Sequence, residues 1–120
     1  MTRFFRYTAI GAGATAVHYA ALTALVEWAH WPAWMASGLG ACIGAQMAFL
    51  GNRKFTFGHQ GDAGSAWLKF MGTAGLGALL GMAIVALGVA AGAHYLIAQA
   101  VATLCSLLLT YAVNRRWTFS

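Results

Sequence analysis

Long apolar runs, interrupted by short polar ones, set the rhythm of this chain. Residues 7–26 pass 20 positions without Asp, Glu, Lys or Arg, residues 28–52 pass 25, and residues 70–114 pass 45. A helix rises about 1.5 Å per residue and needs roughly 20 apolar residues to cross a bilayer. The last run is therefore two crossings and a turn. The pattern predicts four transmembrane helices, at about 5–28, 33–51, 66–90 and 95–113. Pro32 suits a helix start. Gly92-Ala93-His94 reads as a tight turn. The longest polar connection is residues 55–65, where Gly58, His59, Gln60, Gly61, Asp62 and Gly64 read as a loop. Arg3 and Arg6 give the first helix a flank like a signal peptide's. Its apolar run exceeds a signal core of about 7–15 residues, with no small-x-small cleavage site after it, so it is read as a retained helix.

The pattern repeats. Asn52-Arg53-Lys54-Phe55-Thr56-Phe57 returns 62 residues later as Asn114-Arg115-Arg116-Trp117-Thr118-Phe119, each copy closing an apolar run. Phe4-Phe5-Arg6-Tyr7 is echoed by Trp67-Leu68-Lys69-Phe70, and Gly11-Ala12-Gly13-Ala14 by Gly75-Leu76-Gly77-Ala78 with a one-residue slip. Two helices per unit give both units the same insertion direction. That makes them parallel repeats, about 4–57 and 67–119, related by an axis along the membrane normal.

Composition removes the soluble classes. Of the 120 residues 61% are hydrophobic and 8% charged, against about 25% charged in soluble domains, and the mean hydropathy is +0.69. So few charges cannot cover a water-soluble globule. With four crossings, both termini and the middle connection share one side. All seven Lys and Arg residues lie there, which the positive-inside rule makes cytoplasmic. The expectation is an all-α integral membrane protein: one domain over 1–120, four transmembrane helices in two parallel two-helix repeats, both termini cytoplasmic. The 15 glycines include Gly40xxxGly44, Gly77xxxGly81 and Gly88xxxGly92. Such patterns let helices approach closely in lipid. They pack one four-helix bundle or form a homodimer face, and the sharper expectation is a homodimer through at least one of them.

Catalytic machinery is not visible. Glu27 and Asp62 are the only carboxylates, and nothing resembles a nucleophile with a base, a metal set or a phosphate-cradling loop. Cys42 and Cys105 lie at nearly matching places in the second and fourth spans, without His or Cys at ligand spacing, and read as small packing residues. No enzyme activity, metal, cofactor or nucleic-acid partner is expected. The two hexapeptides have two readings. In one, Asn caps a helix, the cations snorkel and the aromatics form an interfacial belt. In the other, Arg53, Lys54, Arg115 and Arg116, with Asn52 and Asn114, bind a lipid phosphate, which the planar Arg fork pairs bidentately. A topology signal needs only cations, so the retained order favours the second. Arg6 and Lys69 are secondary attractors. His18 lies mid-membrane, where ionisable side chains are costly and point to function. Its readings are a phosphate contact, a proton relay, or a neutral ring bonded to a neighbouring helix. Gln46 and Gln99 either line a path or join helices by hydrogen bonds. Glu27 stands on the opposite helical face from His18 and reads as a solvated helix-end carboxylate. Trp28, Trp31, Trp34 and Tyr95 read as a belt at the other interface.

Four spans, Arg6-Tyr7 followed by Gly11 and Gly13, and Asn114-Arg115-Arg116-Trp117-Thr118-Phe119 after the last helix together resemble the GtrA-like family over essentially the whole chain. The resemblance implies flipping of a polyprenyl-phosphate-linked sugar across the bacterial inner membrane for polysaccharide or cell-wall glycosylation. Members often carry an acidic residue where this chain has His18, and Asn where it has Ala48 and Thr110. In the mechanism so implied, Arg53, Lys54, Arg115 and Arg116 capture the phosphate, while His18, Gln46 and Gln99 offer contacts midway. Two other readings compete: a small multidrug-resistance-like transporter, which needs a membrane-embedded carboxylate, and a non-transporting partner of a membrane glycosyltransferase.

Overall fold

The structure, a computed structural model, describes residues 2–56 and 63–113. Four α-helices follow in order: α1 (Thr2–Glu27), α2 (Ala33–Gly51), α3 (Ala63–Ala90) and α4 (Tyr95–Val113). All four are long and apolar enough to cross a membrane. The bundle measures 44 Å along its longest axis, which suits a hydrocarbon core of about 30 Å plus its interfaces. Among the described residues there is no strand.

The expected limits of α2 and the expected start of α4 coincide with the observed ones. α1 ends at Glu27, one residue before the expected limit, and two starts move further. α1 begins at Thr2 and α3 at Ala63, each three residues before the expected start. The first turn of a helix needs no buried side chain, so apolar periodicity does not mark it. The 55–65 connection is correspondingly shorter. Asn52 does not end its helix: its backbone stays helical, with φ −68° and ψ −38°, and its N–H reaches the carbonyls of Ala48 and Phe49. A π-helical turn, Asn52–Thr56, continues the chain. π-turns widen the helix locally and are frequent at functional sites. Pro32 stands at the cap position of α2, and Gly92 takes a φ of +98° in the turn before α4.

Large apolar side chains such as Leu50, Leu79, Leu87 and Leu108 stand outward, as a lipid-facing surface requires. Small residues hold the inside together. In lipid, water does not drive helices together; close packing does. A Cβ on Gly40 would lie 2.8 Å from the His18 carbonyl oxygen, and one on Gly44 would lie 2.9 Å from that of Ala14. α2 thus rests on the backbone of α1 at these two positions. Gly77 faces Thr110 and Ser106 across the α3–α4 contact, and Gly88 meets Ala98. Gly40, Gly44, Gly77, Gly81 and Gly88 thus meet neighbours within the chain, whereas nothing stands within 4 Å of an added Cβ at Gly92.

α1 packs on α2, α2 on α3 and α3 on α4, whereas the backbones of α1 and α4 hardly approach. Ile10 lies against Gly51, and Phe49 against Phe70. The start of α1, the end of α2 and the start of α3 therefore share one end of the bundle, with Arg6, Arg53, Lys54 and Lys69. The other end carries Glu27, Trp28, Trp31 and Tyr95.

Candidate functional site

A cavity of about 260 Å³ lies between the helices. All four contribute to it, in a regular way. Gly11, Ala14, Thr15 and His18 of α1 are matched by Ala74, Gly77, Ala78 and Gly81 of α3, each 63 residues on. Ser37, Ala41, Gly44, Ala45 and Ala48 of α2 are matched by Gln99, Thr103, Ser106, Leu107 and Thr110 of α4, each 62 residues on. The spacing is that of the doubled sequence pattern, so corresponding positions of the two halves face one void. Phe70 completes the lining.

Toward the starts of α2 and α4 the cavity is lined by a polar cluster. Gln99 and Ser37 are each only 2% exposed. The Ser37 hydroxyl donates to Oε1 of Gln99. Gln99 Nε2 donates to Thr103 Oγ1 at 3.2 Å, and that hydroxyl donates to the Gln99 carbonyl at 2.9 Å. His18 Nε2 lies 3.1 Å from the Ser37 carbonyl. A carbonyl only accepts, so Nε2 carries the hydrogen and a neutral ring has its lone pair on Nδ1. Tyr19 reaches from α1 to α4, sharing a hydrogen bond with Thr103 Oγ1 at 2.7 Å and donating to the Gln99 carbonyl at 3.3 Å. Among the described residues no buried side-chain polar atom lacks a partner, as low-dielectric surroundings demand.

From this cluster the cavity runs toward the basic end. Ala48 stands one turn before Asn52, Thr110 lies near the end of α4, and Phe70 adjoins Lys69. Ser106 donates to the Gly77 carbonyl at 2.8 Å, and Thr110 to that of Ser106 at 2.9 Å. Among the described residues none of the lining side chains is Asp, Glu, Lys or Arg.

Of the path residues read from the sequence, His18 and Gln99 line the cavity. Gln46 does not: it accepts from Trp67 Nε1 at 2.9 Å and points its amide at Met71 Sδ, joining α2 to α3. Arg6, Lys54 and Lys69 are exposed at the basic end, Arg53 is half-buried, and Asn52 is buried in the π-turn. Asn114, Arg115 and Arg116 lie outside the described residues. Glu27 lies at the far end, where the Tyr95 hydroxyl donates to its Oε1 at 2.8 Å. The free thiols of Cys42 and Cys105 are not in the lining. Among the described residues no group of His, Cys, Asp and Glu could hold a metal. Thr15, Ser37, Thr103, Ser106 and Thr110 are lining residues that the sequence reading did not select. Their signal was present, since Gln99, Thr103, Ser106 and Thr110 recur at helical spacing. Ala48 and Thr110, noted only as departures from the GtrA-like pattern, face the same void as His18.

A family model for the GtrA/DPMS transmembrane domain matches residues 6–119. The chain belongs to that family. No curated protein and no solved structure matches it. Family membership and the four spans make it a multi-pass membrane protein. The GtrA/DPMS match takes in every cavity-lining residue among the described ones.

Proposed function

We propose that the protein flips a polyprenyl-phosphate-linked sugar across the bacterial inner membrane, without catalysis, for polysaccharide or cell-wall glycosylation. The observation that carries this reading is the cavity. It is lined by all four helices, extends toward the cationic end, and carries hydroxyl, amide and imidazole groups toward the other. Membrane transporters built from repeats hold their sites near the midplane at the repeat interface. A sugar leaving water must keep its hydroxyls bonded, since each unpaired one costs several kcal/mol; the stripe on α4 offers such bonds. About 260 Å³ lies just below the ~300–1,000 Å³ of drug-sized sites, which suits one small head, with the polyprenyl tail left in lipid. The basic end faces the cytoplasm in this reading. Arg53, Lys54, Arg115 and Arg116 hold the phosphate there, with Asn52 and Asn114 beside them and Arg6 and Lys69 attracting it.

The deciding experiment is reconstitution in liposomes with a fluorescent short-chain polyprenyl-phosphate hexose in one leaflet. Protein-dependent movement to the other leaflet is expected. Lipid that stays in place would leave the non-transporting partner reading. The multidrug-resistance-like reading finds no carboxylate among the described residues of the cavity lining. It requires that Glu27→Gln abolish cation-driven transport, and no such dependence is expected here.

The phosphate assignment has its own check. Arg115→Ala with Arg116→Ala is expected to weaken polyprenyl-phosphate binding about tenfold or more, as loss of charge-assisted hydrogen bonds implies. Native mass spectrometry reads the bound lipid, and cysteine labelling confirms that topology has not inverted. Unchanged binding would remove the hexapeptide from the site.

A further inference from the structure

The two repeated halves meet along two seams, and the doubled pattern makes those seams equivalent. α2 against α3 in one corresponds to α4 against α1 in the other. They are built differently. At the α2–α3 seam Met82 fills the notch of Gly38, whose added Cβ would fall 2.6 Å from the sulfur. The counterpart of Met82, 63 residues back, is Tyr19, which meets Thr103 and the Gln99 carbonyl across the α1–α4 seam. Ala33 and Ala90 stand where Tyr95 and Glu27 stand in the other seam. In the half away from the basic end the α2–α3 seam is apolar and closely packed, its Gln46 bonds to Trp67 and Met71 lying toward the basic end; the other seam is bridged there by tyrosine hydrogen bonds between backbones that hardly approach. The polar lining is divided in the same sense. Thr15 and His18 on α1, with the stripe on α4, replace the Ala and Gly found at most of the matching places on α3 and α2.

We propose that the α1–α4 seam is the lateral door of the protein. A lipid's hydroxylated head passes through it while the tail stays in the bilayer, and Tyr19 and Tyr95 latch its far half shut in the state described here. This rests on the transport reading above. The physical reason concerns exchange. Parting Met82 from Gly38 would forfeit packing that a polar head cannot replace. Parting Tyr19 from Thr103, or Tyr95 from Glu27, releases donors and acceptors that the head's own hydroxyls satisfy, so the net cost of opening is small. The cavity lies on the basic side of the Tyr19 bridge and the Tyr95–Glu27 bond lies beyond it. Both must break before a head can leave at the far interface.

The test uses the full chain in lipid nanodiscs, with Cys42→Ala and Cys105→Ala. Spin labels on Trp28→Cys and Leu96→Cys read the α1–α4 seam, and labels on Trp34→Cys and Val89→Cys read the α2–α3 seam; all four sites are exposed. With the polyprenyl-phosphate hexose present, the α1–α4 pair is expected to show a second, longer distance. Tyr19→Phe with Tyr95→Phe should enlarge that population, and the α2–α3 pair should keep one distance. A single unchanged α1–α4 distance in both backgrounds, or separation of the α2–α3 pair instead, would overturn the proposal. In liposomes, a short bifunctional thiol cross-linker on the α1–α4 pair is expected to cut flipping at least tenfold. The same treatment of the α2–α3 pair should leave it unchanged, and equal flipping in both would overturn the door. If no sample flips lipid, cross-linked or not, the transport reading fails and the distances alone decide the seam.

Discussion

Gly40→Val is expected to leave almost no folded, monodisperse protein in mild detergent, whereas Gly72→Val behaves as the unaltered chain. The difference lies in what a side chain would meet. At Gly72 nothing stands within 4 Å of an added Cβ. At Gly40 that atom would fall 2.7 Å from His18 Cδ2 and 2.8 Å from the His18 carbonyl oxygen. The ring could turn aside, but the carbonyl belongs to the α1 backbone and cannot. Overpacking a well-filled core costs about 1–3 kcal/mol, and here it separates two helices whose association rests on contact rather than on exclusion of water. Moving α1 also breaks the bond from His18 Nε2 to the Ser37 carbonyl, leaving a buried acceptor unpaired at a further ~1–3 kcal/mol. Size-exclusion profiles before and after mild heating measure the outcome, with Gly40→Ala as the graded case. A Gly40→Val protein as monodisperse and heat-resistant as Gly72→Val would mean that α1 and α2 do not meet this way.

Much of this was legible in the sequence because the bilayer enforces it. Charge-free length alone locates four spans, and the limits of α2 and the start of α4 follow from Pro32, the hexapeptide and Gly92. The starts of α1 and α3 were not legible, because residues such as Ala63-Gly64-Ser65 carry no apolar signal. The turn at Asn52 was read as a stop because Asn is a good cap. Burial of that Asn beside α1 and α2 is a tertiary fact that local pattern does not encode. The glycine patterns announced close contact without naming the partner. Only the assembled bundle tells that Gly40 and Gly44 meet α1.

The site was half legible for a similar reason. Scanning for polar residues within spans finds His18, Gln46 and Gln99 but passes over hydroxyls and alanines. Scanning the doubled pattern by helical face does better. The lining of α2 recurs at 37, 41, 44, 45 and 48, and that of α4 at the same places 62 residues on. Such spacing is one face of one helix. The polar groups of the lining lie mainly on α1 and α4, and most of the matching places on α3 and α2 hold Ala or Gly. Away from the basic end, the α1–α4 seam is bridged by the hydrogen bonds of Tyr19 and Tyr95, where the α2–α3 seam has Met82 packed on Gly38.

The two intramembrane glutamines separate these ideas most sharply. Gln99→Leu is expected to reduce transport at least tenfold, and Gln46→Leu to change it less than twofold. Both substitutions keep roughly the same volume and remove one amide. Gln99 accepts from Ser37, donates to Thr103 and lines the cavity within its polar cluster. Leucine there leaves the Ser37 hydroxyl buried without its acceptor, at about 1–3 kcal/mol, and takes from a passing head one of its few uncharged donors. Gln46 sits two residues beyond Gly44, which turns it about 200° away from the lining face. Its sequence counterpart, 62 residues on, is the outward-facing Leu108. Its bond to Trp67 joins α2 to α3 and is worth roughly 0.6 kcal/mol, typical of such contacts in membranes. Flipping rates in liposomes at matched protein recovery, with thermal stability measured beside them, separate transport from folding. Equal transport in the two variants, at equal stability, would place the route elsewhere than this cavity.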